Sequence, residues 1–504
     1  MKKIYFGISV IAAAVLVMLI LVTEVPLGIT GQWVWQRIPA FQLQNQLFAV
    51  VTPLAVIAAV FFAVSFAISR FADNPRRVRL AGILIVLIGS FCFQEAILES
   101  GRAGRGENEL AVLDKFTGGY VTEAANITRP GEYFRKYAEK LKQGGDRANH
   151  LNVHPPGNVF CGYLLLKFCE YTPFPRWYAD WRSGLNDRHD TFSGTLFTTD
   201  AQKEKEELLY QAAAFTVFLN ELALACAALL TLFAAIRLYG HTPSPGSFLR
   251  AAAAAVVLSG TAALFMGHCD SFYYFLGALI FYLLVCSARQ TAGPVKAILC
   301  TLTGILTAFA CSCSMSFGAL IPFAAILFLC RKNWRSGIVP LVLFCTGGIL
   351  LTAILWAYAD VCLPECAFYA AKNNSVFLAG NRTTPWRWIP YDFLDCVLFA
   401  SPLTVLAAAY GFLTGKDRFL STRANVFRLA ALLIIVLICA NPFQISEMGR
   451  LLQYLFPALL ILVLYRVFRD GDKLPIPAFT AAVFAQGVLF TILRVYLKLV
   501  IVWG

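Results

Sequence analysis

The sequence predicts an all-α, polytopic membrane protein, and three observations carry that reading. Of its 504 residues, 59% are hydrophobic and only 14% charged, against roughly 25% charged in a soluble domain. The mean hydropathy is +0.66. Apolar windows able to cross about 30 Å of hydrocarbon recur along most of the chain. This composition excludes disordered, collagen-like and disulfide-scaffold proteins.

The first element follows Met1-Lys2-Lys3 and runs apolar over 4–22. It resembles the start of a signal peptide, but it is long for one and no A-x-A site follows. It therefore reads as an uncleaved span with a cytoplasmic N-terminus. Further spans are predicted over 49–69, 80–98, 209–236, 250–266, 271–287, 297–313, 314–330, 337–359, 394–414, 427–441, 451–467 and 477–497, for about 13 in all. Residues 1–79 hold the first two of these spans, and residues 80–504 hold the rest.

Orientation follows from the basic loops. Arg70, Arg76, Arg77 and Arg79 lie between the second and third spans. Arg331, Lys332 and Arg335, then Lys416, Arg418, Arg423 and Arg428, and finally Arg466, Arg469 and Lys473 follow later spans. With the N-terminus inside, all four clusters fall inside, as the positive-inside rule requires. The same count places 99–208, 360–393 and the turns at His268–Asp270 and 441–450 outside.

The segment 99–208 has internal order. Over 132–143, Tyr133, Phe134, Tyr137 and Leu141 recur at helical spacing with charges opposite, which predicts an amphipathic helix on the membrane surface. Residues 158–169 are apolar but too few to span, so they predict an interfacial or re-entrant helix. The aromatics of 360–393, Trp386, Trp388 and Tyr391 among them, suit an interfacial belt or a lid.

The net charge of +13 points first to cytoplasmic loops and anionic headgroups. No nucleic-acid motif is present. Most of the 15 cysteines lie inside apolar runs and read as small core residues. Cys362 and Cys366 lie in an expected external loop, where a disulfide is open. No Walker, Rossmann or Ser-His-Asp pattern stands in a suitable context.

Candidate chemistry begins at Asn152-Val153-His154-Pro155-Pro156-Gly157. Proline is tolerated in a first helical turn, so this reads as a helix start. A helix N-terminus beside His154 suits a phosphate, and it also suits a plain elbow. Gly267-His268-Cys269-Asp270 places an acid at a membrane boundary, where charge is costly and usually functional. Glu447 and Arg450 stand in a late external turn, where an arginine can grip a phosphate through two bonds. Glu221 lies inside a span, and Glu95 and Glu99 lie at the outer end of another.

The His154-Pro155-Pro156-Gly157 run resembles a motif of the GT-C membrane glycosyltransferases. Protein O-mannosyltransferases carry a His-Pro-Pro-Leu version, and aminoarabinose and RgtA-type bacterial transferases a Lys-Pro-Pro version. The resemblance covers roughly residues 80–500 in layout and a few short motifs in sequence. It implies a GT-C-like bundle with a large extracytoplasmic loop and a polyprenyl-phosphate sugar donor. A glycan, lipid or protein would be the acceptor, and the setting a bacterial inner membrane with the site facing outward. It implies an external acidic base upstream of the Pro-Pro motif, for which Glu123 is the first candidate, with Glu95 and Glu99 competing. Here the family's usual Asp-Glu or Asp-x-x-Tyr pattern is not reproduced. It further implies roles for Asp270 in the second external turn and for the Glu447/Arg450 element, with His154, Pro155, Pro156 and His268 binding substrate. Glu221 is a secondary candidate. No cofactor is required by this reading, and a divalent metal is left open. A polymerase or ligase of lipid-linked oligosaccharides, and a flippase-type transporter, are the rival readings.

Overall fold

An alanine-rich helix near the middle of the bundle organises the packing in the computed structural model. The structure describes residues 2–29, 33–38, 46–101, 104–114, 119–144, 151, 154–186, 200–290, 293–330, 334–381, 385–413, 422–441 and 448–499. The elements before the central helix are α1 (Lys2–Leu21), β1 (Gly28–Ile29), β2 (Trp33–Val34), α2 (Gln46–Phe71), α3 (Pro75–Glu99), α4 (Arg105–Leu113) and α5 (Tyr120–Ala124). They continue with α6 (Pro130–Arg135), α7 (Tyr137–Gln143), α8 (Gly157–Tyr171), α9 (Pro173–Asn186) and the long α10 (Asp200–Tyr239). The central helix is α11 (Pro245–Ser259), prolonged by a 3₁₀ turn over Gly260–Phe265. Then come α12 (Cys269–Arg289), α13 (Pro294–Cys313), α14 (Leu320–Leu329), α15 (Arg335–Ala359), α16 (Leu363–Asn381), α17 (Trp388–Ala400) and α18 (Pro402–Leu413). The last are α19 (Arg423–Cys439), α20 (Met448–Leu451), α21 (Phe456–Asp470) and α22 (Ile476–Tyr496).

Helix α11 is buried almost throughout, with Ala251 to Ala255 fully enclosed. Lipid tails supply no hydrophobic drive between spans, so helices associate by close van der Waals packing, and small residues permit it. Gly89 of α3 faces Val256, and Gly260 faces the Phe93 ring. Around α11 stand α2, α3, α10, α21 and α22. At the periphery α13 and α15 cross closely, because Gly304 lies against the Phe344 carbonyl and Gly347 against the Thr301 carbonyl.

Nine helices among the described residues are long and apolar enough to cross a membrane, or ten when a bent pair counts as one. The chain is thus a multi-pass, helical, integral membrane protein. The expected spans near 314–330, 427–441 and 451–467 appear as helices of 10, 17 and 15 residues. The expected span at 394–414 is the pair α17/α18, bent by 105°. Hydropathy windows do not register such breaks. This one lies at Ser401, whose φ of 78° is left-handed.

The residue 79/80 boundary falls inside α3. The first span packs along the last, α1 on α22. The connector after α1 reaches the end of α22 too: Ile38 N donates to the Tyr496 carbonyl at 2.9 Å, and Lys498 N to the Gln36 carbonyl at 2.8 Å.

Residues 132–143 form two helices, α6 and α7, meeting at Lys136. Their apolar face is covered by protein rather than by membrane: Phe134, Tyr137 and Leu141 are buried, and α7 packs on α16. The surface aromatics belong instead to α9, where Trp177 and Trp181 stack on each other and are about half exposed. Helix α8, of 15 residues, rises about 22 Å and falls short of the hydrocarbon thickness. Asn373 of α16 donates to the Leu141 carbonyl at 2.8 Å, and Arg135 lies 3.8 Å from Asp360. The described parts of 99–208 and 360–393 therefore share one end of the bundle. Arg76 and Arg77 begin α3 at the other end. Cys362 and Cys366 are both free thiols.

Single-cysteine reporters at Lys372 and Arg335 should therefore react with an impermeant thiol reagent from opposite faces of the membrane. Labelling of both from one face would overturn this topology.

Candidate functional site

Three remote parts of the chain meet where α8 starts. Asp270 lies in the first turn of α12, and Arg450 lies in the short α20. Arg450 Nε lies 3.2 Å from Asp270 Oδ2, and both side chains are largely buried. His154 lies near enough to Arg450 for the guanidinium to act on its titration. The Tyr120 ring of α5 meets the His154 imidazole edge-on, with centroids 6.0 Å apart.

The Pro155-Pro156-Gly157 turn is first a packing device. Pro155 and Pro156 are buried. A side chain at Gly157 would meet the Ser312 carbonyl oxygen at 2.5 Å, so glycine lets the start of α8 rest on the end of α13. Asn158 Nδ2 donates to the Cys313 carbonyl at 3.0 Å and to the Tyr273 hydroxyl at 2.6 Å. The Tyr273 hydroxyl donates to the same carbonyl at 3.1 Å. The positive end of one helix thus faces the negative end of another, which supports the elbow reading beside the phosphate reading. Tyr137 holds the turn from above, its hydroxyl 3.3 Å from the Leu151 and His154 carbonyls.

His154 is neutral at physiological pH. Burial pushes its pKa down to about 4, the Arg450 charge adds to this, and a hydrogen bond with the Cys313 backbone opposes it. It therefore offers hydrogen bonds and carries no cationic charge. His268 caps the start of α12 and is buried, with its ring 6.5 Å from Phe265. Glu447 lies outside the described residues.

Glu123 stands on α5 one turn after Tyr120. Lys140 Nζ forms an ion pair with its Oε1, and the Tyr133 hydroxyl donates to the same oxygen at 2.7 Å. Burial acts to raise its pKa, but these two donors outweigh burial and lower it. Among the described residues Oε2 makes no hydrogen bond, so an ionised oxygen is left to take a proton. Glu123 does not touch Asp270 or Arg450. Its connection to the cluster runs through α5 to Tyr120, and through Tyr133 to Tyr137, whose rings lie 5.9 Å apart.

Glu95, Glu99 and Glu221 gather elsewhere, around two arginines. Arg105 Nη1 lies 2.8 Å from Glu95 and 2.7 Å from Glu221, while Nε lies 3.2 Å from Glu109. Its Nη2 donates to Tyr178 at 2.8 Å. Arg182 reaches Glu99 at 3.2 Å and Glu95 at 3.5 Å. Arg105 is 1% exposed. Burial works against its charge, but the carboxylates win and hold its pKa above the usual arginine value. Burial raises the Glu109 pKa, against the pull of Arg105 and Arg182. The cluster ties α4 and α9 to α3 and α10, a structural task that accounts for all three secondary candidates.

Sequence reasoning passed over Arg105, Asn158 and Tyr273. Asn158 carried a signal, as the one amide in an apolar run. Tyr273, three residues after Asp270, shares its helix face. Asp392 and Asp395 of α17 were also missed, and both are buried. Asp395 accepts from Trp35 Nε1 at 3.0 Å. No three His, Cys, Asp or Glu side chains among the described residues are placed to share a metal ion. No family model matches the chain, and no curated protein matches its sequence.

Two outcomes follow from these geometries. Arg105→Ala strands Glu221 and Glu109 without their counter-charge, and removing one partner of a buried pair costs about 3–5 kcal/mol. Thermal unfolding should register that loss. For His154, the folded pKa of about 4 lies below the ordinary histidine value of about 6.5. Between these values the unfolded chain binds the extra proton. Stability is therefore full above the upper value and declines as pH falls toward the lower one. His154→Gln should flatten that decline in unfolding scans taken across pH.

Proposed function

We propose that the chain is a membrane glycosyltransferase of GT-C type, moving a sugar from a polyprenyl-phosphate donor to an acceptor hydroxyl on the extracytoplasmic face, in a bacterial inner membrane. The observation that carries this reading is the Asp270–Arg450 pair one turn of α12 from Tyr273, which holds Asn158 at the start of α8 just after the Pro-Pro turn, at the end of the bundle away from the Arg76 cluster. An arginine and an aspartate from distant segments are brought together and largely enclosed there.

In this reading the acceptor oxygen attacks the anomeric carbon while its proton passes to Glu123. The bond from that carbon to the lipid phosphate oxygen breaks, and the phosphate leaves with the electron pair. Direct displacement inverts the anomeric centre. A positioned carboxylate base contributes about 10²–10⁴-fold, and Glu123 is poised by being ionised. Arg450 meets the charge on the leaving phosphate, with Asp270 holding the guanidinium in aim. Neutral His154 donates a hydrogen bond, and His268 supports the turn that carries Asp270. Pro155 and Pro156 set the elbow. Glu447 would extend the Arg450 element, on sequence grounds alone.

One observation favours a second reading, transport. Broken helices lining a midplane site mark many transporters, and the bent pair α17/α18 carries the buried Asp392 and Asp395. Uptake or flipping by the protein in sealed vesicles, without bond formation, would support it.

Transfer from a radiolabelled polyprenyl-phosphate sugar separates the two. Glu123→Gln should lower the rate by at least about 10²-fold and leave donor binding near the parent value, because the base is lost without loss of bulk. Arg450→Ala should weaken donor binding as well. Full activity of Glu123→Gln would remove Glu123 as the base.

A further inference from the structure

A cavity of about 340 Å³ opens between the end of α5, α8 and the start of α10. Its walls carry two cations and two anions, Lys167, Glu170, Glu204 and Lys205. Lys167 and Glu170 lie 2.5 Å apart, and Lys205 donates to Asn126 at 2.8 Å. Tyr163, Ile127 and Ala124, the residue after Glu123, line it as well. The size suits a small ligand.

Position along α10 decides what kind of ligand reaches it. Arg237 closes α10 at the basic end. Phe215 and Phe218 pack against Tyr178 of α9, the helix that bears the exposed Trp177 and Trp181. Indole rings of this kind sit at the membrane–water boundary. From Phe218 to Arg237 the helix rises about 29 Å, the thickness of the hydrocarbon core. Leu208 and Lys205 stand about 15–20 Å further out than Phe218. The headgroup layer occupies only about 5–8 Å per leaflet. The cavity therefore faces water, beyond the lipid headgroups. An anionic ligand would meet Glu170 and Glu204, and a cationic one would meet Lys167 and Lys205. A neutral molecule rich in hydroxyls meets donors and acceptors alike and strands neither charge.

We propose that this cavity binds a sugar of the acceptor, so that the acceptor is a carbohydrate and reaches Glu123 from the Ala124 side. This rests on the transferase reading for its role, but the binding does not. Lys167, Glu170, Glu204 and Lys205 supply hydrogen bonds to ring hydroxyls, and Tyr163 and Ile127 cover an apolar sugar face. The donor side, at Arg450 and His154, stays separate.

The test is saturation-transfer NMR on the full chain in phosphatidylcholine nanodiscs. The probes are the methyl glycosides of glucose, galactose, mannose and N-acetylglucosamine, with glycerol 3-phosphate as the charged comparison. At least one glycoside should bind through its ring protons, and binding should weaken about tenfold, the scale of one charge-assisted hydrogen bond, in both Glu170→Gln and Lys205→Met. Both positions are exposed, so unfolding temperatures should stay at the parent value. Absence of glycoside binding, equal binding by the variants, or preferential binding of glycerol 3-phosphate in the cavity would each overturn the proposal. Donor and transfer play no part in this measurement. Sugar binding in a protein that performs no transfer would sink the transferase reading and leave the cavity assignment. Transfer without sugar in the cavity would do the reverse.

Discussion

Arg105 is the interaction on which the outer end of the molecule depends. Its guanidinium is sealed from water and pairs with three carboxylates and the Tyr178 hydroxyl. A charge so enclosed must be paired through nearly all its donors, and apart from Glu109 on α4 itself each partner draws in a different helix. Glu95 brings α3, Glu221 brings α10, and Tyr178 brings α9. Such a network is weak evidence of net stability, because desolvation offsets much of the attraction. What it provides is placement: α4 and α9 have one seat on the bundle.

The remaining outer elements build on that seat. Gly162 lets α5 approach α8 closely, since a side chain there would meet the Tyr120 carbonyl at 3.0 Å. Helix α8 in turn rests on the end of α13 through Gly157 and Asn158. The turn from His154 to Gly157 is thus held on three sides, by α13, by Tyr137 and by the Tyr120 ring. Arg450 arrives on α20, a four-residue helix that packs on α17, where Gly449 lies against the Phe399 ring. Each group in the cluster is carried by a backbone whose course is set by small residues and carbonyl contacts.

Charge is sorted by its task. The pair Asp270–Arg450 is compact and largely buried, with a neutral histidine acted on by the guanidinium. The Arg105 network is extended and saturated. Glu123 belongs to neither and keeps an oxygen for a proton. The three settings differ in burial and partner number, so carboxylates of one chemistry sit in three electrostatic environments.

Much of this was legible in the sequence. Hydrophobic windows and basic loops are local properties, so the multi-pass helical class and the common side of 99–208 and 360–393 could be read from them. The shortness of α8 was legible as a count of residues. Helix breaks were not, because the break at Ser401 depends on a backbone angle that composition does not encode. The apolar face of 132–143 was visible, but not what would cover it: a face binds lipid or protein according to what the fold places opposite. The sequence offered Asp270 and Arg450 as parts of one site and Glu95, Glu99 and Glu221 as secondary candidates, without the cations that pair them. Only the tertiary structure divided them into an Arg105 network and an Asp270–Arg450 pair, because a carboxylate's role is set by the cations that reach it across hundreds of residues, and such distances are not written in any local stretch of chain.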